Sequence, residues 1–178
     1  LIGLISYVIF VVLTAPLEFI WPKIQPKLGP LPVQVVSIHG TVWQGKAQLK
    51  SAQIGSVSAN WDIQVSDLFS GKLTALLTIE GEELKLNGQV SSDGDQLEIS
   101  DTKAFMSSRY LEPLLRQGRS TLKGDFELTD FNSRISINDK QVHSADGRLV
   151  FSGGDISFPI DGKNINSQLP MLIGNISK

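Results

Sequence analysis

The chain has 178 residues, enough for one sizeable domain or for one domain with a membrane segment. Its formal net charge is -2 and it has no block of Lys or Arg, which argues against nucleic acid as a partner. It contains no cysteine, which excludes disulfides, thiolate metal sites and cysteine nucleophiles.

The chain begins with an uncharged apolar run of fifteen residues, LIGLISYVIFVVLTA. As a helix this run spans about 22 Å, less than the ~30 Å hydrocarbon core of a bilayer, so we expect further residues upstream of Leu1. The run predicts a transmembrane anchor over residues 1–21. A signal peptide cleaved after Ala15 is the alternative, but Leu13 is large where a small residue is preferred, and Pro16 hinders the peptidase.

A proline-rich linker is predicted over residues 22–32. Five prolines between Pro16 and Pro32 are expected to deny this stretch a regular helix. Trp21 and Lys23 suit the headgroup region of a membrane. We interpret the stretch as the exit from the membrane and a spacer.

Residues 33–178 change to a two-residue period, which predicts a β-rich domain. In the first long run, Val57, Ala59, Trp61, Ile63 and Val65 alternate with polar residues. The alternation returns near residues 73–79, 84–90, 97–99, 122–128, 135–137, 149–151 and 156–160. The pattern predicts a mostly β fold, an antiparallel meander that forms an extended sheet.

Glycines and one helical segment interrupt this alternating pattern. Gly71, Gly81 and Gly94 lie between strands and are expected to supply the positive φ angles that hairpin turns need. The segment 107–118 has leucines at helical spacing and ends in a glycine, which predicts one short helix. It divides the domain into two halves, 33–105 and 119–178, whose glycine and aromatic patterns suggest an internal duplication.

The stretch HGTVWQGKA, residues 39–47, comes close to a phosphate-binding loop. Gly40, Gly45 and Lys46 match G-x-x-x-x-G-K-[ST], but Ala47 stands where a hydroxyl must hold magnesium. Bulky strand-forming residues fill the loop, and an alternating strand pattern follows where a helix is needed. The stretch predicts a tight turn between strands with Trp43 as a core anchor.

No other pattern indicates catalysis, a cofactor or a metal site. His39 and His143 lack further ligands at metal-binding spacing, so we interpret them as ordinary strand residues. Asp93 and Asp95 lack the other ligands of a calcium loop and indicate a turn. We therefore predict a protein that is not an enzyme and that has no cofactor.

Two passages of the sequence have defined motifs of glycine, tryptophan and leucine. The first is a G-T-[apolar]-W-x-G-x-A motif, and the second is a W-x-[apolar]-x-[polar]-x-x-L-[apolar]-x-G-x-L passage. They are matched here by Gly40, Thr41, Trp43, Gly45 and Ala47, and by Trp61, Leu68 and Gly71. With an N-terminal anchor, a proline-rich exit and a later GRLVFSGG at residues 147–154, which loosely echoes the first motif, they form an order that resembles the type II secretion system protein N family.

The resemblance implies an accessory part of the machine that moves folded proteins from the periplasm across the outer membrane. It implies an inner-membrane anchor with a cytoplasmic amino end, a periplasmic β-domain, and contacts with secretin, pseudopilus or inner-membrane platform subunits. The eight motif residues would have structural roles. Such proteins also continue further, whereas this sequence reaches Lys178 without a clear closing strand.

A lipid-binding or lipid-transfer protein is the rival interpretation. A long meander with one apolar face must cover that face with a second sheet, a partner protein or acyl chains. The sequence does not choose among these three.

Overall fold

The computed structural model describes residues 14–27, 33–51, 55–160 and 163–178. Nine antiparallel strands form one sheet in the order β1-β2-β3-β4-β5-β6-β8-β9-β12. Their bounds are β1 Gln34–Gly40, β2 Gln44–Ser51, β3 Gly55–Ile63, β4 Leu73–Gly81, β5 Leu84–Ser92, β6 Gln96–Ser107, β8 Asp125–Ser136, β9 Val142–Phe151 and β12 Leu172–Ser177. The predicted antiparallel meander is confirmed, and its strands from both predicted halves join one sheet.

A second sheet has three strands in the order β11-β10-β7. Their bounds are β7 Thr121–Leu122, β10 Gly154–Ile160 and β11 Lys163–Leu169. The sequence did not predict this separate sheet, because its strands alternate in the same way as those of the large sheet. The final residues, for which no closing strand was predicted, form β12, which pairs with β9.

The described residues contain two short α-helices, α1 at Leu17–Ile24 and α2 at Glu112–Gln117. Helix α2 follows a 3-10 turn at Ser108–Leu111, so the predicted interruption after β6 is confirmed. Helix α1 corrects the expectation of a linker without regular helix, since it includes Pro22. The helix is in contact with β1 and its Leu17 side chain is buried, so tertiary packing favours a helix that its proline disfavours.

The predicted anchor over residues 1–21 lies mostly outside the described residues. Within the described part of the chain, no helix is long and apolar enough to cross a membrane.

The register of the large sheet places apolar residues on one face. Ala59 pairs with Ala47 on one side and with Ile79 on the other. The same row continues across the sheet through Leu86, Ala104, Leu128 and Leu149. Their sequence neighbours Lys46, Asn60, Glu80, Lys85, Lys103 and Glu127 lie on the opposite face by strand alternation. The nine strands therefore share one apolar face and one polar face.

The apolar face is covered in part within the described residues: where the two sheets meet, Leu122 and Leu169 of the small sheet line one cavity with Phe126, Leu149 and Phe151 of the large sheet. Four apolar side chains of the described residues are buried, and they are Leu17, Ala47, Val57 and Phe151. The prediction that Trp43 is a core anchor is wrong in degree, because its side chain is half-buried, as is that of Trp61.

The two ends of the large sheet differ in what they carry. The proximal end holds the β1–β2 turn at residues 41–43 and the β3–β4 connection at residues 64–72. The distal end holds the β4–β5 turn and, after β6, helix α2. The described chain enters at the proximal end, where Pro16 forms an isolated antiparallel bridge with Thr41.

Two local predictions are corrected. Val65, expected to continue β3, begins a 3-10 turn at Val65–Ser70, because Asp67 N–H bonds to the carbonyl of Gln64 and turns the backbone. Gly71 and Gly94 have the expected positive φ, but Gly81 does not and is the last residue of β4. Its lack of a side chain serves packing instead, since a Cβ there would lie 2.7 Å from Val57 Cγ1.

Candidate functional site

The β1–β2 turn has the tight geometry that the sequence predicts. Gly40 ends β1 with φ at 98°, and a Cβ there would meet the carbonyl oxygen of Gln44. Thr41 N–H donates to the same carbonyl at 2.8 Å. The Thr41 hydroxyl oxygen accepts hydrogen bonds from the N–H groups of Trp43 and Gln44, each at 3.2 Å. Gly40 and Thr41 therefore fix the turn from both sides.

Trp61 connects this turn to β3. It is the direct cross-strand partner of Gly45, and its ring occupies the space that a Cβ on Gly45 would need. Its indole N–H donates to the carbonyl oxygen of Val42 at 3.0 Å. The two sequence passages that carry the family resemblance therefore meet in one contact, since Gly45 belongs to the first and Trp61 to the second.

Ala47 and Trp43 extend the contact between the turn and β3. Ala47 is buried and lies opposite Ala59. The carbonyl oxygen of Trp43 accepts a hydrogen bond from Ile63 N–H at 2.6 Å. Trp43 therefore lies beside the last residue of β3, at the point where the chain leaves the sheet.

Leu68 and Gly71 lie in the β3–β4 connection. Gly71 ends the 3-10 turn with φ at 77°, and its N–H donates to the carbonyl oxygen of Leu68 at 3.1 Å. Leu68 is exposed, and its neighbour Phe69 is 93% exposed. The connection thus presents apolar side chains to solvent on a turn whose backbone is closed by hydrogen bonds.

Helix α1 docks at the same place. Leu17 is buried, and Glu18 Oε1 lies 3.0 Å from His39 Nδ1 in β1. His39, which we interpreted as an ordinary strand residue, thus makes a contact that was not predicted. Because Glu18 and His39 are 21 positions apart in different elements, no periodicity could have shown it.

Seven of the eight predicted motif residues lie at one corner of the sheet, and the eighth, Ala47, lies in the middle of β2. We define the proximal corner as the turn at residues 41–43, the connection at residues 64–72, the strand ends beside them and the start of α1. The GRLVFSGG echo lies elsewhere, in β9 and the residues after it. Among the residues described, no group of three or more His, Asp or Glu side chains is placed to hold a metal ion.

The fold and the proximal corner together define the class of protein: an extended antiparallel β-sheet with a helix docked beside its first strand. The sequence matches the family model for the type II secretion system (T2SS), protein N, over residues 32–177. The chain belongs to this family, as the two passages around Trp43 and Trp61 indicate. Neither curated proteins nor solved structures gave a match.

Proposed function

We propose that this chain is a non-enzymatic accessory component of the type II secretion machinery. It aids the transport of folded proteins from the periplasm across the outer membrane through protein–protein contacts. The family match over residues 32–177 is the observation that carries this proposal. The partners are other subunits of the machine, from the secretin, the pseudopilus or the inner-membrane platform.

The outer edge of β12 is the contact surface that we propose for these partners. An edge strand offers unpaired N–H and C=O groups to which another chain can add a strand. Strand β12 pairs with β9 on one side, and no described strand pairs with the other side. The opposite edge, β1, is in contact with helix α1. Met171, Leu172 and Ile173, at the start of β12, are more than half exposed.

Site-specific crosslinking in living cells tests this contact. A photoreactive amino acid at Asn175, exposed in β12, should capture secretin, pseudopilus or platform subunits. The matched control is Lys85, which is exposed on the polar face in the middle of the sheet and should capture none. Equal capture from both positions, or none from Asn175, contradicts strand addition at β12.

The proposed location is the inner membrane, crossed once by the apolar segment before Pro16, with the amino end in the cytoplasm; residues 17–21 of the predicted anchor belong to helix α1 beside β1. The β-domain then lies in the periplasm. Alkaline phosphatase folds actively only in the periplasm, so a fusion after Lys178 should be active. An inactive fusion, with a cytoplasmic reporter active at the same position, would overturn this topology and the secretion role with it.

A second candidate function is lipid binding, which the incompletely covered apolar face favours. Where the two sheets meet, the structure has a cavity of about 440 Å³. Its lining is mainly apolar and includes Leu122, Phe126, Leu149, Phe151, Leu169 and Leu172. Apolar surface of this kind is stabilised by acyl chains as well as by protein.

Two adjacent residues separate this candidate from the first. Leu86 lies on the apolar face and Lys85 on the polar face of the same strand. A photoreactive amino acid at position 86 should crosslink to lipid if the face binds acyl chains, whereas one at position 85 should not. Crosslinks from position 86 to protein subunits alone would instead show that a partner covers the face.

A further inference from the structure

The proximal corner exposes large apolar side chains on two neighbouring connections. Val42 at the tip of the β1–β2 turn is 41% exposed, and Leu68 and Phe69 in the β3–β4 connection are 39% and 93% exposed. Apolar residues on strands line the sheet, but these three lie on connections beyond the strand ends. Phe69, which is almost fully exposed, is not held by packing against the sheet.

The backbone holds the two connections close together. Ile63 N–H bonds to the Trp43 carbonyl at 2.6 Å, so the β1–β2 turn lies against the end of β3. The 3-10 turn that carries Leu68 and Phe69 begins two residues later. Gly71 closes that turn through hydrogen bonds to the carbonyl oxygens of Asp67 and Leu68. Val42 and Phe69 thus belong to one structured surface.

The N-terminal segment joins the domain at this same surface. Pro16 bridges to Thr41, and Leu17 is buried directly after it. The fifteen residues before Pro16 carry no charge. If they span the membrane, their exit lies next to Val42, with no spacer between the bilayer and the corner.

The charges of the connection do not oppose contact with lipid. Residues 64–72 carry one acid, Asp67, and one base, Lys72. Asp67 accepts a hydrogen bond from the Ser66 hydroxyl at 3.2 Å, and its backbone carbonyl accepts one from Lys72 N–H at 3.1 Å. The segment is therefore neutral overall, with a phenyl ring exposed at its tip.

We propose that the proximal corner inserts Val42, Leu68 and Phe69 into the interfacial layer of the bilayer that holds the N-terminal segment. Aromatic and aliphatic side chains partition into this layer when a nearby anchor holds them at it. The contact fixes the orientation of the sheet, with its proximal end on the membrane and its distal end towards the periplasm. This inference rests on the proposed membrane anchor.

Fluorescence quenching in vesicles tests the corner. Because the chain has no cysteine, Phe69→Cys and Leu114→Cys each give one labelling site. Leu114 is 63% exposed in α2 at the distal end and is the matched control. The full chain, labelled with a polarity-sensitive dye, is reconstituted into vesicles whose lipids carry a nitroxide near the headgroup. We expect a blue-shifted emission and severalfold stronger quenching at position 69 than at position 114.

A second pair of variants tests whether the three side chains act together. A dye at Val42→Cys should lose much of its quenching when Phe69→Asp is added, and should keep it when Leu114→Asp is added. Both aspartates replace exposed side chains, and unchanged melting temperatures will show that the fold persists.

The outcomes of these experiments distinguish the proposed lipid contact of the corner from the proposed membrane anchor. If the chain floats with vesicles but position 69 is quenched no more than position 114, the corner contact is overturned and the anchor stands. If the chain does not float with vesicles, both are overturned. Shielding of position 69 only after a secretion subunit is added also overturns the lipid contact, because a protein then covers the corner.

Discussion

At the scale of single residues, Gly40 and Gly94 form a matched pair for the tight turn. Both have φ at 98°, but a Cβ on Gly40 would meet Gln44, whereas one on Gly94 would lie in open space. We expect Gly94→Ala to destabilise the fold by about 1 kcal/mol through backbone strain alone. Gly40→Ala should cost about 2 to 4 kcal/mol, since a steric clash adds to the same strain. Urea unfolding followed by circular dichroism measures both, and equal losses would contradict the clash.

A second residue-scale prediction concerns pH and Asp93. Its side-chain oxygen accepts hydrogen bonds from Gln96 N–H at 2.8 Å and from Asp95 N–H at 3.0 Å. These donors, that of Gln96 first, lower the pKa of the Asp93 carboxyl below its ordinary value of 3.8. The turn that the sequence indicated here is therefore stabilised by an ionised acid, with no cation needed to explain the pair of aspartates.

The sign of the pH dependence follows from this lowered pKa. A carboxyl with a lower pKa in the folded state than in the unfolded state adds stability above the unfolded value, and this is lost as the pH falls through the folded value. Asp93→Asn keeps an oxygen acceptor but cannot ionise. Its melting temperature should lie below that of the wild type at neutral pH, and the difference should shrink below about pH 4. A difference that stays constant down to pH 2 would contradict this.

At the scale of elements, Trp61 joins the β1–β2 turn to β3. Because the side chain is half-buried, Trp61→Ala should destabilise the fold by about 2 to 3 kcal/mol, less than the ~3–5 kcal/mol of a fully buried tryptophan. Trp61→Phe should cost about 1 kcal/mol, since it keeps most of the packing and loses the hydrogen bond to Val42. Urea titration of the full chain in detergent distinguishes the two. If both variants melt like the wild type, Trp61 serves a partner rather than the fold.

The strands could be predicted from sequence wherever the alternation is long. The strands at residues 57–63 and 73–79 were predicted correctly, because each apolar side chain faces the same side as its cross-strand partner. β12 was missed because Leu172 and Ile173 are adjacent, so its pattern depends on pairing with β9. Helix α1 was missed because its stability comes from contact with β1 rather than from its own proline-containing sequence.

The residues of the candidate site could be predicted from the sequence, but the contacts between them could not. The motif spacing identified Gly45 and Trp61 separately. Only the register of β2 against β3 shows that they are cross-strand partners and that the Trp61 ring occupies the space that a side chain at Gly45 would need. The docking of α1 through Glu18 and His39 is a tertiary contact without a local signal. Sequence patterns report which face a residue occupies, whereas contacts between distant elements require the fold.

At the scale of the whole molecule, the nine-stranded sheet has one apolar face and one polar face. In the described residues the small sheet meets the apolar face at the cavity lined by Leu122, Phe126 and Leu169. A protein of this shape is stabilised further by whatever covers the apolar face. Side chains on the polar face should matter little, so Asp62→Ala and Lys85→Ala are expected to be nearly silent in secretion and to serve as controls.

The secretion role itself gives the last prediction, which concerns the cell rather than the isolated chain. Under the proposed role, deletion of the protein should trap folded exoproteins in the periplasm, because transport from there across the outer membrane is the step that the protein would aid. Immunoblots of periplasm and culture medium measure the trapping, and wild type, Asp62→Ala and Lys85→Ala should each restore secretion. Outer-membrane lipid composition should not change. Normal secretion together with altered outer-membrane lipids would favour the lipid function, since the apolar face would then act on lipid rather than on the machine.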